Sequence, residues 1–106
     1  MQYEPNGWVI LECEINSINE YFVFASWSGS YLEGDSWRVN SGIKTVTEDD
    51  DHYYFHGYTS SVYKCSKCAE GRISAYNAAV MNGICQKQNV EVVNFENIKG
   101  KLEWQS

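Results

Sequence analysis

Apolar and polar positions alternate with a period of two along most of the chain, in runs bounded by turn residues. In "WVILECEI", Val9, Leu11, Cys13 and Ile15 share one face and Glu12 and Glu14 the other, the pattern of a half-buried strand. "YFVFASW" is apolar on both faces, which predicts a central strand covered on both sides. In "SWRVNSGIKTV", Trp37, Val39, Ser41 and Ile43 keep one parity and Val46 breaks it, so a bulge or kink is expected beyond Gly42. "HYYFHGY" and "SVYKC" flank Thr59-Ser60 and predict two strands of a hairpin or one long strand bent at Gly57, and Val90 to Phe95 predicts a last strand.

One segment has a different period. Ile73, Tyr76, Val80 and Ile84, with Ala79 and Gly83 beside them, recur at three and four, the stripe of an amphipathic helix. Ser74 is placed as its N-cap. Gly83 in the helix interior costs about 1 kcal/mol relative to Ala, which predicts close packing against a strand there. Turn residues separate the elements, and the only proline, Pro5, interrupts none of them. The expected architecture is α+β: one domain over residues 1–106, a curved antiparallel sheet of about five to six strands, and one helix (about 74–88) packed on one face.

Composition allows such a core. Hydrophobic residues make up 43% of the chain and aromatic residues 15%, enough for a compact fold without disulfide or metal staples. The start of the chain is polar and lacks a basic n-region, and no apolar run approaches the ~20 residues of a membrane helix. A cytoplasmic protein with no membrane partner is expected, its four cysteines present as thiols. The net charge of −6 is uneven: residues 1–51 carry −8 and residues 52–106 carry +2. The acidic half repels nucleic acid at long range and attracts a basic protein surface, although an acidic balance also serves solubility alone.

The densest chemistry lies in "EDDDHYYFHGYTSSVYKCSKC", Glu48 to Cys68. Cys65-x-x-Cys68 has zinc-knuckle spacing, and His56 and Cys85 complete a candidate tetrahedral set. Against it, Cys85 stands alone in the predicted helix, and Cys65 lies in a strand, where residues three apart face opposite sides. The competing reading makes the cysteines small core residues and assigns no metal and no cofactor. A thiol beside His56 would suit a small enzyme, but no nucleophile elbow, phosphate loop or metal-binding helix motif is present, and no catalytic residue is assigned. Asp49, Asp50 and Asp51 lack the alternate spacing of a calcium loop and are expected to form a hairpin turn.

Beyond that turn, Tyr53 and Phe55 are expected on one face of the strand and Tyr54, His56 and Tyr58 on the other. An exposed tyrosine row gives large contact area at low entropy cost, and Trp27, Tyr31 and Trp37 flank the neighbouring "SGSYLEGD" loop. The rival reading packs these rings into the core. The stretches "WRVNSGI" and "YYFHGYTSSVYKC" resemble motifs in small single-domain proteins encoded by phages and prophages. That resemblance implies an accessory protein of the anti-CRISPR kind, a stoichiometric, non-enzymatic inhibitor of host defence. The expected function is occlusion of a basic, nucleic-acid-handling protein or ribonucleoprotein complex of the host, without direct nucleic-acid contact. Glu48, Asp49, Asp50 and Asp51 would supply charge, and Tyr31, Tyr54 and Tyr58 contact. The alternatives are a zinc-stabilised structural domain built on Cys65, Cys68, Cys85 and His56, and an immunity-type protein against a basic toxin.

Overall fold

A computed structural model describes residues 1–28 and 34–105. The elements are β1 (Gln2–Tyr3), β2 (Gly7–Ile15), β3 (Ile18–Trp27), β4 (Ser36–Val39), β5 (Ile43–Glu48), β6 (His52–Gly57), β7 (Val62–Ser66), α1 (Ala75–Gln88), β8 (Val90–Val93) and the short α2 (Phe95–Ile98). The α+β class holds. The strands form two sheets of four where one curved sheet was expected: a middle sheet in the order β4-β3-β2-β8 and a front sheet in the order β1-β7-β6-β5.

The division occurs inside "SWRVNSGIKTV". Its first half pairs with β3 and its second half with β6. Between them the chain crosses from one sheet to the other at Asn40–Gly42. Gly42 has φ +109°, and a Cβ there would stand 3.1 Å from the Tyr58 ring, so glycine is required. The buried Asn40 fixes the crossover: its Oδ1 accepts from the Val23 and Gly42 amides at 3.0 and 3.1 Å. The expected irregularity beyond Gly42 is a register shift between Ile43 and Thr45, which lets both Ile43 and Val46 point inward.

The sheets pack face to face. Trp8 and Ile10 of β2 and Tyr21, Val23 and Ala25 of β3 meet Val46, Tyr53, Phe55, Tyr63 and Cys65 of the front sheet. Phe95 closes this core, with ring centroids 4.5 Å from Tyr53 and 6.0 Å from Trp8. The other face of the middle sheet carries Val9, Leu11 and Phe24 and is covered by α1 through Met81, Ile84 and Cys85. The middle sheet is therefore buried from both sides, as the two apolar faces of "YFVFASW" require.

Ser74 caps α1 as expected, accepting from the Asn77 amide at 3.2 Å. The buried stripe is rotated from the expected one. Asn77 and Met81 face the sheet, whereas Tyr76 is 63% exposed. The centre of the stripe is polar: Asn77, fully buried, donates from Nδ2 to Ser26 Oγ and to the Ser36 carbonyl, both at 2.8 Å. A hydropathy pattern cannot credit such a residue to a core face. A Cβ added at Gly83 would meet nothing within 4 Å, so close packing is not the reason for that glycine. No described helix is long and apolar enough to cross a membrane.

Candidate binding surface at the acidic end of the front sheet

The outer face of the front sheet has no helix over it among the described residues. Even-numbered residues of β6 point outward: His52, Tyr54 and His56, opposite Ser66, Lys64 and Val62 of β7. The pairs Asp51/Lys67 and Gly57/Ser61 extend the same register, the Lys67 amide donating to the Asp51 carbonyl and the Gly57 amide to the Ser61 carbonyl. His52/Ser66 and Tyr54/Lys64 therefore fall at the non-hydrogen-bonded positions, where opposing side chains stand closest. Lys64 Nζ accordingly lies 6.0 Å from the Tyr54 ring centroid and 3.6 Å from Glu4 Oε1.

The acids form the β5–β6 turn, as the sequence predicts, but they are not equivalent. Asp49 builds the turn. Its Oδ1 accepts from the Asp51 and His52 amides at 2.9 and 2.8 Å, and its Oδ2 accepts from the Tyr54 hydroxyl at 2.7 Å. Those donors, the Tyr54 hydroxyl foremost, hold its carboxyl at about 2, below the ordinary 3.8. Glu48 is paired with Lys67 at 2.6 Å and raises that ammonium's pKa. Asp50 and Asp51 are exposed, and no ion pair among the described residues engages their carboxylates. The turn thus presents two free negative charges in the loop whose Asp49 holds the half-buried Tyr54.

Tyr58 is 60% exposed but sits past the opposite end of β6, against Gly42. Tyr31 lies outside the described residues. Trp27 turns to the rim of the core, its Nε1 donating to the Glu4 carbonyl at 3.1 Å, and Trp37 stacks on Phe24 at 5.6 Å on the helix side. The structure therefore brings together Tyr54 and the four acids, and leaves Tyr58 and Trp37 elsewhere.

The candidate zinc ligands do not converge. Cys65 is fully buried between the sheets, Cys85 is on α1 beyond the middle sheet, and Cys68 is exposed. His56 points outward, its Nε2 3.1 Å from Thr47 Oγ1. Stacked sheets stand about 10 Å apart, so no single ion reaches both Cys65 and Cys85 across the middle layer. Burial pushes the Cys65 thiol's pKa far up, which opposes the thiolate a metal needs. Nor does His56 meet a thiol. The imidazole at the Cys68 end of the sheet is His52, whose opposite residue Ser66 places Oγ 3.2 Å from Cys68 Sγ; cross-strand registry, which the sequence alone does not supply, reveals it.

A second acidic site lies on the middle sheet. Glu12, Glu14 and Glu91 line a cleft with Asn19 and Asn89, and Glu12 and Glu91 are directly opposed on neighbouring strands. Like charges so placed repel. The acidic half of the sequence is thus divided between two sheets. Comparison with protein-family models, with curated proteins and with solved structures gives no match.

Proposed function

We propose that this chain is a non-enzymatic binding protein that docks on a basic protein surface through the acidic turn and the open face of the front sheet. One arrangement supports the reading: Asp50 and Asp51, with free carboxylates, belong to the same turn as Asp49, on which the Tyr54 hydroxyl is fixed at 2.7 Å. A ring held in one orientation loses little entropy on binding, and the two charges steer a cationic partner toward it. The Glu12–Glu14–Glu91 site has no aromatic residue in its lining among the described residues, the Tyr21 ring opposite Glu12 being buried in the core. The partner class is a basic, nucleic-acid-handling protein or ribonucleoprotein complex of a host cell, and the mode is that of a phage-derived inhibitor of host defence, as the motif resemblance implies. Direct contact with nucleic acid is disfavoured by the sign of the turn's charge.

The test is the affinity for candidate effector complexes, measured across salt, of the wild type and an Asp50→Asn/Asp51→Asn variant. Asp49 is left intact because it holds the turn. The variant should bind more weakly at low salt, and the difference should shrink as salt rises. Equal affinities and equal salt slopes would remove the turn from the mechanism.

A further inference from the structure

Where the chain crosses between the sheets, it leaves a cleft of about 280 Å³ at the opposite end of β6 from the acidic turn. Among the described residues its lining contains Arg38 and the hydroxyl-bearing Tyr3, Tyr63, Ser41, Thr59 and Ser61, and no carboxylate. We propose that this cleft binds a small-molecule oxyanion, a phosphate or carboxylate group, on the Arg38 guanidinium and the surrounding hydroxyls.

Arg38 is held in place by the Tyr3 ring, its Cζ 4.7 Å from the ring centroid. That contact occupies a face of the guanidinium, and its N–H edge, part of which donates to the Tyr63 hydroxyl, offers its remaining donors to an oxygen ligand. Ser41 Oγ lies 3.2 Å from Thr59 Oγ1, which lies 3.3 Å from Ser61 Oγ, and the Thr59 amide donates to Ser41 Oγ at 3.1 Å. Three hydroxyls joined by two hydrogen bonds retain one proton for an outside acceptor. Burial keeps the Tyr63 hydroxyl protonated, as a donor, despite the opposing effect of Arg38. Asn40 is occupied by the backbone of Val23 and Gly42 and serves as frame. Gly57 lies beneath: a Cβ there would come within 2.8 Å of Ser41 Oγ and 3.3 Å of Ser61 Oγ, so glycine lets the hydroxyls converge. One cation, a surplus of donors and no acid among the described lining residues form an anion site within a chain of charge −6.

The experiment is an amide NMR titration at constant ionic strength with inorganic phosphate and, separately, acetate. Wild type should show saturable shifts centred on Arg38, Thr59 and Ser61. Arg38→Gln should weaken the response at least about tenfold. Arg38→Lys, which keeps the charge and loses the fork, should fall between. A Lys101→Gln control, which removes an exposed cation elsewhere, should behave as wild type. A phosphate-only response assigns a tetrahedral ligand and a response to both assigns any oxyanion. The proposal is overturned if neither anion gives saturable shifts, or if both Arg38 variants respond as the wild type does. Neither result bears on the acidic turn, which lies outside the cleft.

Discussion

The two sheets share one core and differ in what covers their other faces. The middle sheet is sealed on its second side by α1, and its strands β2 and β3 contain Trp8, Ile10, Val23, Phe24 and Ala25 with no exposed surface. The front sheet buries Tyr53, Phe55, Tyr63 and Cys65 on one side and turns His52, Tyr54, His56 and Lys64 to solvent on the other. One sheet is framework, and the other is a platform with a framework on its back. Substitutions should therefore separate into changes in stability and changes in binding, according to sheet and face.

The largest effect is expected at Trp8, which contacts Tyr53, Phe55 and Phe95 and donates from Nε1 to the Ser66 carbonyl at 2.7 Å. Trp8→Ala should cost about 3–5 kcal/mol in a urea melt. Lys64→Gln on the open face should change stability by less than about 0.5 kcal/mol. Comparable losses at both positions would erase the distinction. Asn77→Ala comes next, at about 1–3 kcal/mol, because it leaves Ser26 Oγ and the Ser36 carbonyl without their donor. Gly83→Ala runs the other way. Open space around that position predicts a gain of up to about 1 kcal/mol in the same melt. The smallest effect is at the turn and depends on pH. Asp49's carboxyl is held below its ordinary value, so the stability it contributes is present above about pH 4 and is lost as pH falls toward 2. Asp49→Ala should flatten that part of the acid-denaturation curve.

Periodicity was sufficient to place β2 to β7, the start of β8, the capped helix and the acidic turn, because each depends on residues close in sequence; it missed β1 and carried the last strand through Phe95, which opens α2. The doubly apolar "YFVFASW" even announced the layer that is covered twice. Three features depended on contacts between distant residues. The split into two sheets rests on Asn40, whose side chain binds the backbone of Val23, seventeen residues away. The buried face of α1 is centred on Asn77, a polar residue made compatible with the core by acceptors on β3 and β4. The cysteine spacing suggested a ligand set, but a sheet lies between Cys65 and Cys85. At the turn, the sequence counted four acids, and only the hydrogen-bond pattern distinguishes Asp49 and Glu48, which are engaged, from Asp50 and Asp51, which are free.

The most direct test uses the two acidic sites as each other's control. A short Lys/Arg-rich peptide is titrated into the isotope-labelled protein at low and at moderate salt, and the perturbed amides are mapped. The account predicts salt-sensitive shifts confined to Glu48–Tyr54 and Lys64–Lys67, lost in the Asp50→Asn/Asp51→Asn variant. Shifts centred on Glu12, Glu14 and Glu91, or a map unchanged in that variant, would contradict it.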